Sequence, residues 1–184
     1  RGRSHYGAYA KMKDVEVAYV VDPDSRQFAR AINDVKNISG TAPKPIGDVR
    51  EVLDDKELNI VSIATPNHWH SLMSIWACQA GKDVYVEKPL SHNIFEGRKL
   101  VEAARKYKRM VQHGTQARSS QSRANEIAAL QSGKYGKLTV SKGYCCKPRW
   151  SIGKKSNRKP PQELDFTIWL GPAPDQPYHD NLVH

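Results

Sequence analysis

With 184 residues, 39% of them hydrophobic, the chain is long enough to bury the core of one large domain, or of one and a fraction. No apolar run approaches the length of a membrane-spanning helix, and three cysteines (Cys78, Cys145, Cys146) are too few and too irregularly spaced for a disulfide framework. The net charge of +10 does not read as a nucleic-acid face, because residues 142–159 gather seven basic residues and no acid in a Gly-, Ser- and Pro-containing stretch that reads as a solvated or substrate-facing loop.

Residues 15–21 (VEVAYVV) are nearly all apolar and rich in β-branched side chains, as a strand buried on both faces should be. Asp22-Pro23-Asp24 ends it. Asp24 or Ser25 is placed to cap a helix in which Phe28, Ala31, Ile32 and Val35 recur at helical spacing. Residues 39–47, broken by Pro43 and Pro45, read as a loop or a weak edge strand. Residues 59–64 (NIVSIA) predict a second buried strand, closed by Thr65-Pro66. The helix after it sets Leu72, Ile75, Trp76 and Gln79 on successive turns, with Gly81 where a C′ glycine belongs.

Residues 83–86 (DVYV) predict a third strand, ending at Glu87-Lys88-Pro89. The next helix carries Ile94, Val101 and Ala104 on one side. It finishes in Arg105, Lys106, Lys108 and Arg109, which suit a helix C-terminus. Met110-Val111-Gln112 starts a last strand. This alternation predicts an α/β fold, a Rossmann-type parallel sheet wrapped by helices. After Gln116 the rhythm changes. Ser119 and Ser120 are placed to cap a helix through Ile127 and Leu130 that stops at Gly133, and residues 137–144 alternate like a half-exposed strand. The predicted division is a dinucleotide-binding domain over 1–117 and the start of an α+β substrate domain over 118–184.

Three constellations carry chemistry. Arg1-Gly2-Arg3 precedes a helical stretch, and Asp22 lies 20 positions beyond Gly2. That spacing fits the last glycine of a dinucleotide fingerprint and its ribose-binding acid. An ordinary turn and helix cap is the competing reading. If the fingerprint holds, helix N-terminal amides take a pyrophosphate and Asp22 takes ribose hydroxyls. Its charge then favours NAD over NADP, a preference that Arg26, four residues on, would soften. Ala64-Thr65-Pro66-Asn67-His68-Trp69-His70 stands at a strand's carboxyl end, where open α/β sheets bind ligands. His68 and His70, two apart in a first helical turn, point in different directions, so no metal site is predicted.

The third is Glu87-Lys88-Pro89, again just past a strand. Partial desolvation at a cofactor pocket would make Lys88 a usable proton donor or acceptor. The Lys88–Pro89 bond is a candidate cis peptide that would aim the lysine inward. A solvated charged turn is the alternative. Trp150, Trp169 and Tyr178 read as packing residues before pocket walls.

The run SIATPNHWH through AGKDVYVEKP resembles the Gfo/Idh/MocA oxidoreductases, which carry P-N-x-x-H and E-K-P turns at these places. Similarity continues through GTQARSS and YCCKPRWSIGK to WLGPAP. The resemblance implies Gly2 as the last fingerprint glycine and Asp22 as the ribose acid. It sets Thr65, Pro66, Asn67 and His70 beside the nicotinamide half of the cofactor, Glu87 on a ribose, and Lys88 near the hydride-carrying carbon. Gln116 and Arg118 would lie at the mouth of the site.

It further implies hydride transfer between NAD and a secondary hydroxyl of a sugar, inositol or related polyol, by a homo-oligomer when full length. The rivals are an NAD-dependent glycosidase acting by transient oxidation and a non-catalytic sugar or cofactor sensor. The compartment is cytoplasmic by default, or exported if a twin-arginine signal lies upstream. The family's D-x-x-x-H motif would lie beyond WLGPAP, and its first strand before Arg1. The isolated chain is therefore expected to show little activity.

Overall fold

The computed structural model describes residues 1–183. Helix α1 (Gly2–Tyr9) opens the chain, and strand β1 (Tyr19–Val21) leads through a short 3₁₀ turn to α2 (Phe28–Ser39). Strands β2 (Lys44–Ile46) and β3 (Ile60–Ile63) follow, then α3 (His70–Gln79), β4 (Asp83–Glu87), α4 (Ile94–Tyr107) and β5 (Val111–Gly114). Helices α5 (Gln121–Gln131) and α6 (Phe166–Leu170) complete it. All strand pairs are parallel, in two ladders: β1 with β2, and β3-β4-β5 in that order. This is the α/β architecture the alternation predicts.

The core lies between the three-stranded ladder and helices α3 and α4. Ile63, Val84, Val86, Ala77, Cys78, Leu100 and Ala103 are buried together there, with Val49, Val52 and Leu53. The face of the ladder turned to these helices carries Ile63, Val84 and Val86, all buried, whereas Tyr85 on the other face is half-buried and Ile60, Ser62 and Gln112 are exposed, so the predicted second strand is buried on one face only. Gly81 takes φ +78° after α3, as its place past the helix predicts.

Four further expectations are corrected. The first strand is three residues rather than seven, because its ladder partner β2 is itself only three long. In α3 the fully buried stripe is His70, Ser71, Ser74, Ala77 and Cys78; Leu72, Ile75 and Trp76 are half-buried, and Gln79 is exposed. Small side chains let α3 lie close to its neighbours, and the Ser74 hydroxyl is satisfied by donating to His70 O (2.6 Å). In α4 the core face is Leu100 and Ala103, whereas Ile94 at the first turn is exposed. Residues 137–144 form no strand: they meet no partner among the described residues, and a ladder needs two.

The late segment returns to the parallel domain as a strap. Asp24 and Leu164 form an isolated antiparallel bridge. Ser25 N donates to Glu163 O (3.0 Å) and Asp165 N to Pro23 O (2.9 Å). Asp165 caps α6 by accepting from Ile168 N (2.9 Å). At the far end of α6, Trp69 Nε1 lies 3.1 Å from both Ile168 O and Trp169 O. One short segment thus grips the loop after β1 and the turn after β3.

Candidate active site at the strand ends

Two turns at neighbouring strand ends build the site. After β3, Thr65-Pro66 leads into a 3₁₀ turn over Asn67–Trp69, and after β4 the chain turns at Glu87-Lys88-Pro89. The Lys88–Pro89 peptide is cis. The His70 ring joins the two turns: Nδ1 lies 2.5 Å from Pro89 O and Nε2 2.9 Å from Thr65 O. Only 1% of His70 is exposed, so it is a brace between turns and presents no free nitrogen to a ligand. His68 faces elsewhere, with Nε2 3.1 Å from Trp169 O. Among the described residues no cluster of metal-ligating side chains forms.

Glu87 is the buried charge of the site, 3% exposed. Its Oε1 accepts from Gln116 Nε2 (2.5 Å) and faces His5 Nε2 (3.3 Å), and Oε2 accepts from Lys88 N (3.2 Å). Burial pushes the Glu87 carboxyl up, but the hydrogen bonds from Gln116, His5 and the Lys88 amide outweigh it and hold the group below the usual carboxylate range. His5 Nδ1 also meets Ser62 Oγ (2.9 Å), and Gln116 Nε2 reaches Tyr85 OH (3.2 Å). Helix α1, strands β3 and β4 and the turn after β5 therefore converge on one carboxylate. Gly114 makes room for this: a Cβ there would stand 3.2 Å from Tyr85 OH.

Lys88 is exposed, and its ammonium pairs with no carboxylate among the described residues. The desolvation expected of it is thus not a property of the polypeptide alone. Asn67 is exposed at the head of its turn. Gly2 opens α1 beside the end of β3: a Cβ there would find nothing closer than Ala64 Cβ at 3.9 Å. Asp22 stands at the end of the other ladder, and Oδ1 accepts from Asp24 N (2.9 Å). Burial pushes the Asp22 carboxyl up and the Asp24 charge adds to this, against the hydrogen bond from the Asp24 amide. Gln116 and Arg118 line a hollow with Tyr85, His113 and Thr115 beside this cluster.

His5 and Ser62 are the site residues that sequence reasoning missed. A signal existed: Gly2, His5, Tyr6 and Tyr9 form the half-buried stripe of α1 at helical spacing, and a histidine inside such a stripe needs a polar partner.

The profile of the Gfo/Idh/MocA family, described as "Oxidoreductase family, NAD-binding Rossmann fold", matches residues 1–115. This chain belongs to the Gfo/Idh/MocA oxidoreductase family. The profile of the family's C-terminal α/β domain matches residues 128–184. Among curated relatives, glycosyl hydrolase family 109 protein 1 of Shewanella sp. (strain MR-4) is 33% identical over 110 residues, covering 56% of this chain and 24% of that protein. An alpha-N-acetylgalactosaminidase of Shewanella oneidensis is 25% identical over 166 residues, covering 86% of this chain and 36% of that protein. The chain therefore spans between a quarter and about a third of these relatives' length. The crystal structure of myo-inositol 2-dehydrogenase from Lactobacillus plantarum superposes with a TM-score of 0.63 at 23% identity, over 74% of this chain and 39% of that one, and supports the fold.

The residues of this Gfo/Idh/MocA chain fit the family's dinucleotide. The N-terminus of α1 carries no acidic side chain in its first turn and keeps Gly2 uncrowded, as a pyrophosphate requires. Thr65 Oγ1 is buried without a hydrogen-bond partner, in the turn that the family resemblance would set beside the nicotinamide half. No helix among the described residues is long and apolar enough to cross a membrane.

Proposed function

We propose that the protein catalyses hydride transfer between NAD and a secondary hydroxyl of a sugar, inositol or related polyol. The observation that carries this is the brace: His70 ties Thr65 O to Pro89 O and so holds the Thr65-Pro66-Asn67 turn and the Lys88 turn side by side. Gly2 and the α1 amides would hold the pyrophosphate, Asp22 the adenine-side ribose, Thr65 and Asn67 the nicotinamide end, and Glu87 a ribose hydroxyl. NAD, when bound, accepts or returns the hydride. In the oxidative direction Lys88 Nζ, as the neutral amine, would take the hydroxyl proton as the C–H bond is broken, and as the ammonium it would return that proton in the reverse direction. We assign residues 1–117 to cofactor binding and 118–184 to the beginning of the substrate domain, within a homo-oligomer.

The test uses the full-length protein. Lys88→Ala should lower kcat by about a hundredfold or more, the usual contribution of a positioned proton-transfer group, while the Kd for NADH from fluorescence titration changes little. Unaltered turnover in that variant sinks the role of Lys88. Absence of NADH binding by the wild type sinks the whole reading.

A second reading has its own support: the curated relatives above include proteins named as glycosyl hydrolase family 109 and alpha-N-acetylgalactosaminidase. A glycosidase working through transient oxidation uses the same hydride and proton transfers but returns the hydride. Product analysis separates the two. Cleaved glycoside without accumulated NADH marks the glycosidase, and ketosugar with stoichiometric NADH marks the dehydrogenase.

A further inference from the structure

Beside Asp22, the loop after β1 holds an arrangement that the reactions above leave without a role. Asp24 is buried, and both of its oxygens are engaged by Arg26. Oδ1 accepts from Arg26 N (3.1 Å) and Arg26 Nε (2.7 Å), and Oδ2 accepts from Arg26 Nη2 (2.6 Å). This is the two-point fork in which guanidinium and carboxylate geometries match. The loop that carries it is fixed from outside: the bridge to Leu164 and the hydrogen bonds Ser25 N to Glu163 O and Asp165 N to Pro23 O clamp both sides of Asp24. Arg26 is thereby turned to Asp24, four residues after the acid that faces the ribose. The neighbouring cation Arg158 is likewise paired, to Asp180.

We infer that Asp24 is a specificity-determining residue: by locking Arg26 in a two-point ion pair, it withholds the cation a 2′-phosphate needs and so sets the preference for NAD over NADP. The inference rests on the reading above, that this domain binds a nicotinamide dinucleotide. Asp22, Asp24 and Arg26 together leave one net negative charge where the ribose hydroxyls would lie. A neutral 2′-hydroxyl donates to Asp22 there, whereas a 2′-phosphate meets repulsion with no free guanidinium to offset it. Arg26 thus does not soften the preference, contrary to what its position in the sequence suggests.

Asp24→Asn tests this. The amide keeps the size of the side chain and an oxygen for Arg26 N, but removes the charge that holds the guanidinium. Full-length wild type and variant are titrated with NADH and with NADPH, and Kd is read from nicotinamide fluorescence. NADH should bind within about threefold of wild type. The Kd for NADPH should fall about tenfold or more, the effect of one charge-assisted hydrogen bond made available. In the double variant Asp24→Asn/Arg26→Ala the ratio of the two Kd values should return to that of wild type. Asp24→Ser, which keeps an oxygen to cap Arg26 N but likewise frees the guanidinium, should give the same gain and serves as the second variant should Asp24→Asn fail to fold.

An unchanged ratio in Asp24→Asn overturns the inference. So does a gain in NADPH binding that survives in the double variant. NADH binding with an unmoved ratio defeats this inference only, whereas no NADH binding in wild type defeats the dinucleotide reading with it.

Discussion

Glu87 shows how far a single residue can be read from sequence. Its place after a buried strand marks it as a site residue, since an acid there is costly to bury alone. Its partners were not legible, because His5 and Gln116 lie 82 and 29 positions away and meet it only through the fold. The hydrogen bonds predict a pH dependence. A carboxyl held below its ordinary range contributes stability that is present above its unfolded pKa and is lost as pH falls through the folded value. Gln116→Leu removes the donor at 2.5 Å while burial still opposes the charge. The variant should therefore lose about 1–2 kcal/mol of stability at neutral pH, and the difference from wild type should shrink in acid, where Glu87 is protonated in both. Urea unfolding at neutral pH and in acid measures this. A constant difference at all pH values would show that Gln116 acts by packing and not through the Glu87 charge.

Elements differ in legibility for a physical reason. Strands β3 and β4 are legible because short runs rich in β-branched and aromatic residues between turn signals mark strands whatever the tertiary partner; that β3 is buried on one face only, with Ile60 and Ser62 exposed, is not. The buried faces of α3 and α4 are not legible, because helical periodicity finds large apolar residues, while close packing here selects Ser71, Ser74, Ala77 and Ala103. The strap was also hidden. WLGPAP resembles a family segment, but nothing local says that α6 docks on the turn after β3. Gly171 at its end is the test of that docking. It has φ +49°, and a Cβ there would stand 2.1 Å from Trp69 Cζ2. Gly171→Ala should displace the strap from the indole and cost about 1–3 kcal/mol, the usual penalty of overpacking. Trp69 is buried, so its emission should also shift to longer wavelength as water reaches it. A variant as stable as wild type, with unchanged emission, would show that the strap is not seated on Trp69.

At the scale of the whole molecule, order is distributed unevenly along the chain. Residues 1–115 carry the ladders and the core, and the strap is hydrogen-bonded to them, but α5 buries no residue and residues 137–150 are exposed without secondary structure. Leu138, Val140, Tyr144 and Trp150 all lie on the surface of that stretch. Residues 151–159 are tied again, Asn181 Nδ2 donating to Gly153 O (2.9 Å) and Arg158 N to Tyr178 O (3.0 Å). Proteolysis reads such differences, because a protease needs a segment that opens cheaply. Brief trypsin treatment of this chain should cut first after Lys137, Lys142 or Arg149; Lys147 is shielded by the following Pro148. The fragment beginning near Trp150 should then co-elute with the core in gel filtration, because the bridge at Leu164 and the bonds to Trp69 need no covalent link through the cut segment. Intact-mass analysis gives the cut sites and chromatography the retention. First cuts inside α3 or β4, or immediate loss of the late fragment, would contradict a core and strap that hold together across an open connection.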